Sequence, residues 1–145
     1  MTSNDLSDLP RDLNIDEDNY KKFEELKDSK VFKQSDTPMK SIFIYALALG
    51  WNNKIRKPLK KKKGSIPSST LSNDELWLLY SIAYTETKDI SIILKGKEVA
   101  KIVEEYANGG IDELYKIVID PHAVDEPYKR LESRVMDVLR GLENE

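Results

Sequence analysis

The 145-residue chain has no cysteine and a single histidine. The first absence excludes a disulfide scaffold, a thiolate zinc site and a cysteine nucleophile together. The second leaves too few imidazoles for a metal cluster of the usual ligand spacing. His122 follows Pro121 in a connection and reads as a surface loop residue; as a general base it would need a nearby nucleophile, and no serine around it completes a motif. Long apolar runs are missing as well: the longest, IFIYALALGW, is about half of what spans a bilayer. A secretory signal would open basic and turn apolar, whereas MTSNDLSDLPRDLNIDEDNY is acidic. Nor is there a glycine-rich nucleotide loop, because KKKKGSIPSS has one glycine and the wrong spacing. These absences predict a cytoplasmic protein that needs no cofactor and makes no membrane contact.

What is present is charge. Charged residues make up 34% of the chain against 39% apolar, with a net charge of −3 and an isoelectric point near 5.4. That balance argues against a protein coated by nucleic acid over its whole surface, but not against one local basic contact. Such a locality exists. Between Asn52 and Ser69 stand seven cations (Lys54, Arg56, Lys57, Lys60, Lys61, Lys62, Lys63) and no acid.

Periodicity predicts an all-α fold, a single compact bundle of about six helices, with a flexible acidic segment over 1–14, one helical domain over 15–145, and a long basic loop over 51–71 between the second and third helices. The first helix runs from about Asp16 to Asp28, its acids Asp16, Glu17 and Asp18 at the positive end of the helix dipole. The second begins at Thr37-Pro38 and is apolar nearly all round through Met39, Ile42, Phe43, Ala46 and Leu49, which marks it as central; Gly50 ends it or permits close packing near its end. Ser72 to Glu75 spells a capping box ahead of a stripe of Leu76, Leu79, Tyr80 and Ala83, with Trp77 and Tyr84 beside it. ISIIL (Ile90–Leu94) reads as a short strand or a first helical turn kinked near Gly96. A helix over Lys97–Asn108 is expected to stop at Asn108-Gly109-Gly110, followed by a short helix in IDELYKIVID and a last one from Pro127 with Tyr128, Leu131, Val135, Val138, Leu139 and Leu142 on one side.

The basic loop is the chief candidate site. Closely spaced lysines give affinity for a phosphate backbone without base readout, and Trp51 on its flank could stack a base. The plainer alternatives are a solvated loop, a loop clamped by the six acids of residues 1–20 (Asp5, Asp8, Asp12, Asp16, Glu17, Asp18), or one that meets the acidic face of a protein. The carboxylate pairs Glu24-Glu25 and Glu104-Glu105 diverge by about 100° on a helix and read as solvated faces. The aromatic residues Trp77, Tyr80, Tyr84, Tyr106, Tyr115 and Tyr128 read as core, or in part as a partner-binding groove.

Two stretches, MKSIFIYALALGWNNKIRKPL (Met39–Leu59) and EEYANGGIDELYKIV (Glu104–Val118), resemble the small Dnd-system-associated, or DNA phosphorothioation-associated, protein four family. That family's pattern is an apolar helix after Met-Lys, then glycine, aromatic and asparagine, a basic KPL turn, and EEYANGGI later; Gly50, Trp51, Asn52, Lys57, Pro58, Leu59 and Tyr106 to Ile111 match it. The resemblance covers roughly residues 35 to 120. It implies a prokaryotic setting beside DNA sulfur modification, in which sulfur replaces a non-bridging phosphate oxygen, and beside the linked restriction of phage. It implies no catalytic residue, and Lys60–Lys63 fall outside the pattern. The expectation is a non-enzymatic accessory protein whose basic loop meets DNA, phosphorothioated or plain, or proteins of a Dnd-type modification or restriction complex. A protein–protein adaptor that never touches nucleic acid is the alternative, docking through the Trp77/Tyr84 face or the acidic tail. A hydrolase or nuclease subunit would need carboxylates from separate helices around a metal. Residue types do not decide the oligomeric state.

Overall fold

The computed structural model describes residues 9–119 and 127–143, the side chains of 127–133 and 143 apart. His122 and residues 1–8 therefore lie outside the described residues. The chain forms a strand β1 (Asp12–Asp16), helices α1 (Glu17–Lys27), α2 (Lys30–Gln34) and α3 (Met39–Asn53), a strand β2 (Lys62–Pro67), and helices α4 (Asn73–Thr87), α5 (Gly96–Ile119) and α6 (Pro127–Glu143). The fold is helical, with six α-helices among the described residues and one small two-stranded ribbon. None of those helices is long and apolar enough to cross a membrane.

α3 and α5 form the centre. Nine residues of α3 are buried, from Ile42 to Trp51, on all sides of the helix; α5 is buried continuously from Ile102 to Ile111. Their backbones meet at glycines. A Cβ on Gly50 would lie well inside 3.0 Å of the Tyr106 carbonyl oxygen, and one on Gly110 would collide in the same way with the Ala46 carbonyl. Gly50 therefore does not end its helix, which runs on to a left-handed Lys54 cap. The expected stop at Asn108-Gly109-Gly110 is likewise absent: α5 passes through as one 24-residue helix. Close packing on both sides supplies what glycine's weak helix propensity lacks.

α4 opens with the expected capping box, Ser72 Oγ accepting from Glu75 N while Glu75 Oε1 accepts from Ser72 N. Lys40 of α3 adds an ion pair to Glu75 at 3.0 Å. Burial opposes it, yet these hydrogen bonds hold the Glu75 carboxyl below the ordinary carboxylate range. ISIIL is a 3₁₀ turn rather than a strand, held by Asp89, whose carboxylate accepts from the Ser91 amide and hydroxyl.

Two elements depart from expectation. Asp12–Asp16, which reads as the end of the flexible segment over 1–14 running into the first helix, is a strand that buries Leu13 and Ile15. The basic loop is also shorter than 51–71: its first residues are the end of α3, and its last six residues before the Ser68–Thr70 turn are β2, antiparallel to β1 with Leu13 opposite Ile66 and Asp16 opposite Lys62. Residues 54–61, the strap, are the stretch of it that lacks regular structure before β2.

Candidate functional site

The strap is fastened to the end of α3 and along α5. The Ile55 amide donates to the Gly50 carbonyl at 3.0 Å, and the Lys57 amide to the Glu105 carbonyl at 3.1 Å. Asn108 Nδ2 reaches the carbonyls of Lys57 (3.2 Å) and Pro58 (3.3 Å). Gly109 faces the Ile55 carbonyl so closely that a side chain there would overlap it. The motifs KPL and YANGGI, fifty residues apart in the chain, are thus one contact in space.

Glu104 and Glu105 are not solvated, contrary to the reading of a solvated helix face; they are 5% and 8% exposed. Each holds a different neighbour. Glu105 Oε1 accepts from Arg56 Nε at 2.7 Å, and Arg56 continues to Glu86 at 3.2 Å. Glu104 Oε2 accepts from the Asn14 amide (2.6 Å) and from its side chain (3.0 Å), which secures β1. Burial pushes the Glu104 carboxyl above the ordinary range, against those two bonds and the positive field of Lys62. Tyr106 donates to Glu86 at 2.7 Å; burial and that bond push its phenol up to about 12.

The expected site residues separate into three groups. Arg56 is structural, locked between two carboxylates. Lys57 and Lys61 are exposed but paired, Lys57 with Asp112 at 3.6 Å and Lys61 with Glu17 at 3.0 Å. Asp112 also binds Lys22 of α1, and that bond holds its carboxyl below the usual range although burial opposes it. Among the described residues the acidic leader engages the loop through Glu17 and strand pairing. Lys54, Lys60, Lys62 and Lys63 are exposed, and among the described residues none has an acid within ion-pair distance. Lys54 and Lys63 lie instead over aromatic faces, Trp51 at 3.4 Å and Tyr20 at 3.8 Å. Trp51 itself is 5% exposed, with the edge of Tyr106 against it at 5.3 Å. Its ring is covered on both counts and is no platform for a base.

A second surface lies on α4. Trp77 (58% exposed) and Tyr84 (42%) stand out of the protein, and with Ile90, Ile93 and Leu142 they line an open groove of about 300 Å³. Tyr80, by contrast, is core. Among the described residues no three His, Asp or Glu side chains converge as a metal ion would require.

The residues that composition did not single out are Asn14, Asn19, Glu86, Asn108 and Asp112. Their signal was weak: Asn14, Asn19 and Glu86 lie on β1, α1 and α4 outside any motif, and Asn108 and Asp112 stand in a stretch of α5 whose Ala107, Gly109 and Gly110 are small residues that let neighbours close in.

Fold and site together define a small helical protein that carries a fastened cationic strap along its central helix. The chain belongs to the family described as DNA sulphur modification system-associated protein 4, whose model matches residues 3–128; the family's name places it in association with such a system. Neither the curated proteins nor the solved structures contain a match to the chain.

Proposed function

We propose that this protein is a non-enzymatic accessory factor of a DNA phosphorothioation-linked defence system, acting in the cytoplasm, and that it contacts the DNA backbone through its strap and β2. One observation carries the reading: Lys54, Lys60, Lys62 and Lys63 stand exposed and unpaired with acid among the described residues, on a chain segment held at both ends. A lysine over an aromatic face gains about 0.5–1 kcal/mol at an exposed site and about 2 kcal/mol against a desolvated ring, so Lys63, over the half-buried Tyr20, is handed to phosphate more readily than Lys54, over the buried Trp51. Lys57 and Lys61 already have carboxylates, and Arg56 is committed to the fold.

Four available lysines set a number. The affinity for a plain duplex is expected to fall with salt at a log–log slope of about −3.6, that of four phosphate contacts. Replacing Lys60–Lys63 with serine abolishes most retention at low salt, leaves helicity unchanged and lowers melting only by the loss of the Lys61–Glu17 pair and the Lys62 and Lys63 contacts. Retention that survives this replacement overturns the reading. Sulfur for oxygen leaves the phosphate charge in place, so modified and plain duplexes are expected to bind alike.

The exposed Trp77, Tyr84, Ile90 and Leu94 favour a second reading, a protein–protein adaptor within the same system. A partner that stays bound in lysate treated with nuclease and high salt, and is lost with Trp77→Ser, supports that one.

A further inference from the structure

We propose that Asn108 is the positioning residue of the cationic strap, setting the place at which its lysines meet phosphate; this rests on the DNA-contact reading above. Charges on a wandering chain must be ordered on binding, and each long side chain so ordered costs conformational entropy. A strap ordered beforehand avoids that cost.

Asn108 is 6% exposed, and both ends of its amide are used. Its NH₂ group grasps two successive carbonyls, Lys57 and Pro58, which one amide achieves because it carries two donors. Its Oδ1 accepts from Asn19 Nδ2 of α1 at 2.6 Å. That bond fixes the amide's orientation, since the flipped form would set an oxygen against two carbonyl oxygens and an NH₂ against another. Pro58 has no amide hydrogen to offer, and the Lys57 amide is spent on the Glu105 carbonyl. Asn108 is therefore the side chain that ties the strap just before Lys60, and Asn19 is what aims it. Neither carries charge, and Asn108 lies beneath the strap, so their effect on DNA passes through the strap alone.

The test uses the full chain, a short plain duplex titrated across salt, and hydrogen exchange at the strap amides, all well below the melting temperature. Asn108→Ala and Asn19→Ala are expected to exchange faster at the Lys57 amide and to bind about tenfold more weakly at low salt. The salt slope stays at the wild-type value because no cation has been removed. A purely structural loss would lower melting and leave the affinity of the folded protein as it was. Faster exchange with wild-type affinity overturns the positioning role and leaves the DNA reading intact. Wild-type exchange in both variants overturns it too. A wild-type protein that fails to retain duplex at low salt removes the DNA reading and this inference together. If Asn108→Ala does not fold, Asn19→Ala, at a half-buried site on α1, decides alone.

Discussion

Two cations on the same strap illustrate how far a residue's surroundings outrank its type. Arg56 is bound to Glu105, whose side chain is 11% exposed; Arg56→Ala strands that carboxylate and is expected to cost about 1–3 kcal/mol in denaturant unfolding. Lys60→Ala, at an exposed position with no acidic neighbour among the described residues, is expected to stay within about 0.5 kcal/mol. Glu104 gives a pH signature. The folded protein holds its proton more tightly than the unfolded chain, so its contribution to stability is full below the ordinary value of 4.5 and is lost as pH rises through the raised folded value. The charged groups facing it are Lys62 on β2 and Glu105 beside it on α5. Glu104→Gln keeps an acceptor for Asn14 without the buried charge. It is expected to melt higher than wild type at pH 7 and to flatten the decline above pH 4.5; coincident melting curves across that range would remove Glu104 from the account.

At the scale of elements, glycines carry the contrast. Gly110→Ala drives a methyl group into the Ala46 carbonyl and is expected to cost about 3 kcal/mol or prevent folding. Gly141→Ala in α6 meets nothing within 4 Å and is expected to stabilise by about 0.5–1 kcal/mol through helix propensity. Thermal melts of the pair separate close approach from propensity. The same contrast explains what the sequence allowed one to read. The helical class, the centrality of α3 and the Ser72–Glu75 cap were legible, because periodicity and capping are local signals. The continuity of α5 was not: Asn-Gly-Gly is a local stop signal, overruled here by α3 and the strap packing against it. β2 was hidden for a related reason. Lys62, Lys63, Gly64 and Pro67 are poor strand formers, and only pairing with Leu13 and Ile15 at the far end of the described chain makes them one. The strap's cations were plain in the sequence, but which of them are committed to carboxylates was not, since Glu105 and Asp112 come from α5 and Glu17 from α1, both far from the strap in the chain.

Taken whole, the molecule is a helical body with a ribbon joined to α5 through Asn14–Glu104, and the strap that leads into the ribbon is held by Asn108. Leu13 is fully buried in β1 opposite Ile66. Leu13→Ala is expected to cost about 2–5 kcal/mol and to release the amides of β2 to exchange before those of α3 and α5, which would identify the ribbon as a separate opening unit; uniform loss of protection would make ribbon and body one. The strap between these anchorages has a free middle. Pro58 is tied to Asn108 and Lys61 to the start of α1 through the Glu17 amide, whereas Leu59 and Lys60 only span the interval. Extra residues placed there would loop outward and leave both anchorages in register, at an entropic cost that grows slowly with length. That makes the interval a graft point, where a fluorophore-bearing insert would report on whatever molecule comes to rest beside it.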